Sequence, residues 1–172
     1  NRSRLFWTMM MIQSHNQQKK EAFESLAQWK KYRKANLDEN NQRQVDEHNA
    51  GNYATEAWMH TLFGNYTKAK SLLKKHYDIT SKWDDPSALD NYNGISGMVY
   101  VMEGNPSKAL EFFNERISPA NYQYYSYFKA LALKATQNKK AANDIFNFIA
   151  NYNFASWEVG LTRDLAKKAL ES

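Results

Sequence analysis

Three stretches of the chain decide the fold: Phe63-Gly64-Asn65-Tyr66-Thr67-Lys68-Ala69, Glu103-Gly104-Asn105-Pro106-Ser107-Lys108-Ala109 and Thr136-Gln137-Asn138-Lys139-Lys140-Ala141-Ala142. Each runs turn residue, Asn, three variable residues including Lys, then Ala, and Leu73, Phe113 and Phe146 follow four residues after the Ala. A tight turn between antiparallel helices needs one residue at positive φ, which Gly adopts without a steric penalty. Asn suits the N-cap, where its side-chain oxygen accepts a free backbone N–H. Ala allows the two helices to approach closely, and the Leu or Phe one turn later fills the space beyond. Gln137 departs from this pattern and is expected to cost ~1 kcal/mol if it takes positive φ.

Working outward from the turns, the preceding helices also agree. Small residues stand seven positions before each turn (Ala57, Gly97, Ala130), and His60, Tyr100 and Leu133 stand four before it. The punctuation predicts nine helices, near 3–14, 18–34, 38–63, 66–79, 86–103, 106–117, 119–136, 139–151 and 156–171. Asp85-Pro86, Asn105-Pro106 and Ser118-Pro119 each place a cap before a proline at the first helical position, where the missing N–H is not needed. Ser156 and Asp38 read as caps without proline. The prediction is an all-α fold of stacked antiparallel hairpins.

The turns lie 40 and 33 residues apart, the second interval close to the ~34 of a tetratricopeptide unit. These residues resemble the tetratricopeptide repeat (TPR) family. The likeness is closest over 86–119 and looser over 50–80 and 120–153. In 1–35 it is reduced to Ala22 and Leu26. The resemblance implies a single α-solenoid domain over 1–172, with a degenerate unit at 1–35, units at about 38–80, 86–118 and 119–153, and a capping helix at 156–171. In that cap Trp157, Leu161, Leu165 and Ala169 form the apolar stripe expected to face inward, with Arg163, Asp164, Lys167 and Lys168 outward. A longer connection is expected around Ser81 to Pro86.

Composition agrees with a helical core. Of 172 residues, 42% are hydrophobic and 15% aromatic, against only 6 Gly and 3 Pro, so the chain carries enough apolar material to fold and few helix breakers. The absence of Cys excludes disulfides, thiolate zinc sites and cysteine nucleophiles. The formal charge of +5 suits an anionic partner without requiring one. Leu5 to Ile12, the longest nearly apolar stretch, is far short of the ~20 residues that span a bilayer. The compartment stays open: cytoplasmic or exported without disulfides. A start at Asn1 is read as a mature form or a piece of a longer protein.

Candidate chemistry is sparse. Glu56 and His60 lie one helical turn apart, as metal ligands would, but His60 falls at a repeat packing position that accounts for it. Gly94-Ile95-Ser96-Gly97 is too short for a phosphate loop, and helix packing explains Gly97. No catalytic motif, cofactor or metal site is expected. Basic clusters at Lys19-Lys20, Lys30 to Lys34, Lys68 to Lys75 and Lys139-Lys140 offer nucleic acid a surface, though most fall on second helices, where a solvated face explains them.

The resemblance implies a concave, apolar and aromatic groove lined by first helices, here Trp58, Asn91, Met98, Tyr124, Tyr127 and Lys134. The carboxylate-clamp residues of the chaperone-binding members are not matched. A second candidate surface is the first helix, where Leu5, Phe6, Trp7, Met10 and Met11 cannot all face one neighbour at 100° per residue. That surface is expected to meet a preceding repeat or a second copy. The leading expectation is an interaction scaffold that binds a peptide or neighbouring domain and has no chemistry of its own. The alternatives are an appendage of an enzyme encoded upstream and, third, a nucleic-acid-binding surface.

Overall fold

The computed structural model describes residues 2–118, 121–153 and 156–171. Nine helices and no strand are found among them: α1 (Arg2–His15), α2 (Lys19–Lys34), α3 (Gln42–Leu62), α4 (Tyr66–Thr80), α5 (Asp90–Met102), α6 (Pro106–Asn114), α7 (Tyr122–Ala135), α8 (Lys139–Ala150) and α9 (Trp157–Glu171). The chain divides into two compact units, Asn1–Asp84 and Asp85–Ser172, where the sequence suggested one continuous array. The first holds the hairpins α1–α2 and α3–α4. The second holds α5–α6, α7–α8 and the terminal helix α9.

All four hairpins turn in the same way. Gly64, Gly104 and Gln137 take positive φ as expected, and Gln17 joins them at φ 59°. In each turn the N–H of the next residue reaches back five positions. Gln18 donates to the Gln13 carbonyl (2.9 Å), Asn65 to His60 (2.8 Å), Asn105 to Tyr100 (2.8 Å) and Asn138 to Leu133 (2.9 Å). This 6→1 bond closes a Schellman motif and satisfies a carbonyl that the ending helix leaves without a partner. Five residues beyond each turn stands a fully buried Ala: Ala22, Ala69, Ala109 and Ala142. Four further on are Leu26, Leu73, Phe113 and Phe146, also buried. The first hairpin therefore follows the same register as the others.

Helix starts differ in detail from the sequence reading. Asn105 accepts from Lys108 N–H (3.3 Å) with Pro106 at the first turn, and Ser156 Oγ accepts from Val159 N–H (3.3 Å), both as expected. Asn138 likewise accepts from Ala141 N–H (3.4 Å), whereas Asn65 makes no side-chain cap bond. Asp38 is not the cap of α3. Its carboxylate is satisfied locally by Asn40 N–H (3.0 Å), and Asn41 caps α3 through Gln44 N–H (3.2 Å). Asp85 accepts from Ser87 N–H (2.8 Å) and so stabilises a turn, with α5 beginning only at Asp90. Pro119 lies outside the described residues. In α9 the buried residues are Val159, Thr162 and Ala166 rather than Trp157, Leu161 and Leu165. Thr162 tolerates burial because its hydroxyl donates to the Glu158 carbonyl (2.7 Å).

Two glycines in α5 allow aromatic rings against the helix backbone. A Cβ on Gly97 would lie 2.6 Å from the Phe113 ring, and one on Gly94 would lie 2.6 Å from the Tyr125 ring. The first contact seats α6 on α5 and the second seats α7 on α5.

Candidate functional site

The expected groove residues are largely core. Trp58, Met98 and Tyr124 are buried. Trp58 lies in the first unit with His15 of α1 5.9 Å away, centroid to centroid. In the second unit, the Tyr124 ring sits 5.3 Å from Phe128 and 5.3 Å from Trp157, and Lys134 Nζ donates to the Ala169 carbonyl (2.7 Å). Helix α9 thus covers the side of α7 that the reading left open to a ligand. Tyr127 is half-buried against Phe146, and its hydroxyl pKa is raised by that burial. Asn91 alone of the six is exposed.

The first helix needs a similar correction. Met10 and Met11 are buried within the chain, and Phe6 stacks on Tyr32 with centroids 5.6 Å apart. Trp7 is half-buried. Of the five residues expected at the surface only Leu5 is well exposed (56%), joined by Met9 (38%) and Ile12 (49%).

The spacing of Glu56 and His60 also has a packing explanation. Glu56 forms an ion pair with Lys30, and the His60 ring leans on Phe23 at 5.2 Å. Among the described residues no group of three or more His, Cys, Asp or Glu side chains comes together. Several lysines of the basic clusters are paired with acids, including Lys34 with Glu39 and Lys74 with Asp78.

A site that sequence reasoning missed lies in the second unit, between the end of α6 and the start of α7. Asp90, at the first turn of α5, is buried, and its carboxylate accepts from the backbone N–H groups of Ile117 (3.0 Å) and Ser118 (2.5 Å). Arg116 Nε donates to the Asp90 carbonyl (3.2 Å), and Asn93 Nδ2 donates to the Glu115 carbonyl (3.4 Å). Four consecutive residues, 115–118, are therefore pinned to α5 by bonds that include charge-assisted ones.

The pinned segment fixes Arg116 over the Tyr125 ring, 4.2 Å from its centroid. Burial pushes the Tyr125 hydroxyl up to about 12, the nearby Arg116 charge opposing this only in part. Desolvation pulls the Arg116 guanidinium below its ordinary range, with Tyr125 and Asp90 acting the other way. Such a cation over a buried ring is worth on the order of 1–2 kcal/mol. Beside this stack opens a cleft of about 340 Å³ with an apolar floor that includes Phe113 and Ile145. Arg116 and Lys129 supply its charge, and no acidic residue is among its lining residues. Lys129 Nζ donates to Asn114 Oδ1 (2.8 Å), which holds the ammonium at the rim.

The cleft mouth is apolar and open. Ile117 is 62% exposed and Tyr122 49%, and Phe148, outside the cleft lining, is 45% exposed. Tyr122 and Phe148 touch edge to face at 6.2 Å, and Phe148 leans on Tyr152 at 5.2 Å. Exposed aromatic and aliphatic side chains grouped beside an arginine are typical of binding surfaces. Two signals in the sequence pointed here: an isolated Ile117 in a polar connection, and the aromatic density of Tyr122 to Phe128.

No protein-family model matches the chain, and no curated protein or solved structure matches it either.

Proposed function

We propose that the chain is an interaction module of the TPR-like helical-repeat kind, and that the cleft between α6 and α7 receives a segment of a partner polypeptide. One observation carries the reading. Ile117 and Tyr122 stand exposed in the lining of a cleft whose charged lining residues, Arg116 and Lys129, are both cationic, and exposed Phe148 packs on Tyr122 beside it. The segment that fits presents an aliphatic or aromatic side chain to the floor and a carboxylate to the rim. Four hairpins in one register, each with a buried Ala five residues past its turn, support the repeat reading. The cleft replaces the first-helix groove as binding surface, since Trp58, Met98 and Tyr124 are taken up by the core.

Binding of an extended peptide of alternating Leu and Glu, followed by calorimetry beside its Leu and Lys counterpart, tests this. The Leu-Glu peptide should bind and the Leu-Lys peptide should not. Ile117→Ala removes roughly 1–2 kcal/mol of apolar burial, which weakens binding about tenfold. Lys129→Glu should weaken it further at low salt than at high salt. Equal binding of both peptides, or wild-type affinity in both variants, would refute the site.

A further inference from the structure

The common register of the hairpins exposes a second surface, in the first unit. Counting back five residues from the turn gives Ile12 in α1, Met59 in α3 and Ala132 in α7. Met59 and Ala132 are fully buried, whereas Ile12 is half open. Counting back twelve gives Leu5 in α1, Asn52 in α3, Tyr92 in α5 and Tyr125 in α7, of which Asn52 and Tyr92 are half-buried. Tyr125 is buried against Gly94 of the preceding hairpin, whereas Leu5 stands in solvent. The position of Ile12, which all the later hairpins bury, is thus left open on α1, and Leu5 is more exposed than any of its counterparts.

Leu5, Met9 and Ile12 fall at i, i+4 and i+7, a single stripe down one side of the helix. At 100° per residue this stripe lies opposite the side on which Met10, Met11 and Ser14 are buried. Next to it, α1 and α2 enclose a cleft of about 390 Å³. Phe6, Met9 and Gln13 line it from α1, and Glu21, Glu24 and Gln28 are among its residues from α2. Among the described residues its only charged lining residues are the two carboxylates, and neither is in an ion pair with another described residue.

We propose that this face of α1, with the first turns of α2, is the seat for an amphipathic helix from a partner, one with a basic flank. The spacing of the apolar stripe is that of a helix-in-groove contact, in which anchors recur every three or four residues. The unpaired Glu21 and Glu24 select Lys or Arg on the side of the incoming helix that faces α2, by complementarity of charge. This seat lies in a different unit from the α6–α7 cleft and takes ligands of opposite charge, so the two proposals stand or fall separately.

The test uses the full chain and two fluorescently labelled helical peptides with Leu at i, i+4, i+7 and i+11. One carries Lys along the flank and the other Glu. Fluorescence anisotropy should report binding of the Lys peptide and at least tenfold weaker binding of the Glu peptide. Met9→Glu sits on an exposed position, so circular dichroism should be unchanged while binding falls tenfold or more. The double variant Glu21→Lys, Glu24→Lys should reverse the preference between the peptides. Three results would overturn the proposal: equal affinity for both peptides, an unreversed preference in the double variant, or light scattering that shows the stripe occupied by a second copy which the Lys peptide fails to displace.

Discussion

Replacing Gly97 by Ala should destabilise the protein even though the same exchange normally strengthens a helix. The added Cβ would lie 2.6 Å from two atoms of the Phe113 ring and 2.8 Å from a third. Ordinary contact begins near 3.4 Å, so ring and backbone must part by most of an ångström. Phe113 is buried, so its ring can yield only by giving up its packing on α5. Overpacking of this kind costs ~1–3 kcal/mol, and the gain in helix propensity returns ~1 kcal/mol. The net expectation is a loss of up to about 2 kcal/mol, a fall of up to several degrees in melting temperature for a unit of this size. Gly160 in α9 is the internal control, because a Cβ there meets nothing within 4 Å. Gly160→Ala should gain ~0.5–1 kcal/mol. Urea and thermal unfolding followed at 222 nm would separate the two variants by up to roughly 3 kcal/mol, within the range of single-residue effects. Shortening the offending ring in the double variant Gly97→Ala, Phe113→Leu should show a favourable coupling of about 1 kcal/mol. A Gly97→Ala midpoint at or above wild type would show that the close approach of α6 to α5 is not what Gly97 provides.

Acid should weaken the first unit, which contains all four histidines. Burial holds His15 down at about 4 and lowers His48, His60 and His76 as well. The unfolded chain therefore takes up more protons below the ordinary value of 6.5, and stability that is complete above it is lost as pH falls towards 4. At ~1.4 kcal/mol per pK unit, His15 alone contributes on the order of 3 kcal/mol, and a urea midpoint that is flat from pH 7 to 4.5 would contradict this. Asp90→Asn should cost ~1–3 kcal/mol by leaving one of two part-buried N–H contacts to a buried side chain poorly matched, with faster amide exchange at Ile117 and Ser118 as the direct readout. Gln137→Gly should stabilise by ~0.5–1 kcal/mol, because φ is 67° there and glycine adopts it freely; unfolding by urea measures it, and a loss would place the strain elsewhere.

Much of the architecture could be read from particular residues. Gly64, Gly104 and the Asn after each announced turns, and the alanines five residues past the turns all lie where two helices cross. Gln17 escaped notice because a glutamine carries no sign that its φ will be positive; the hydrogen bond from Gln18 to Gln13 imposes it. Helix starts at Asp38 and Asp85 were misplaced for a related reason. An Asp side chain bonds the N–H two residues on in a turn as readily as it caps a helix. The binding residues were harder still. Trp58, Met98 and Tyr124 are amphipathic or adaptable side chains that suit a groove and a core equally, and only tertiary packing, α1 against Trp58 and α9 against Tyr124, decides between the two. Asp90 and Arg116 are 26 residues apart, and nothing local links a carboxylate at the start of one helix to a segment beyond the next. The stripe on α9 is rotated from the expected one because Thr162, polar by type, is buried with its hydroxyl bonded to the Glu158 carbonyl.

The four turns stand 47, 40 and 33 residues apart, yet each hairpin keeps its packed positions. Those positions are counted from the turn and not from the previous hairpin, so added length does not propagate. The surplus lies in α3, whose 21 residues exceed the 14 of α1, and in the connection that follows α4. A foreign loop inserted at 36–40, where the residues are mostly exposed, should therefore be accommodated cheaply, since each doubling of a flexible loop adds only ~0.6 kcal/mol. The same insertion at 64–65 would break the bond from Asn65 to His60 and unseat Ala69. Tags, reporters and new chain ends thus belong in the connections between hairpins, and the turns within them should be left untouched.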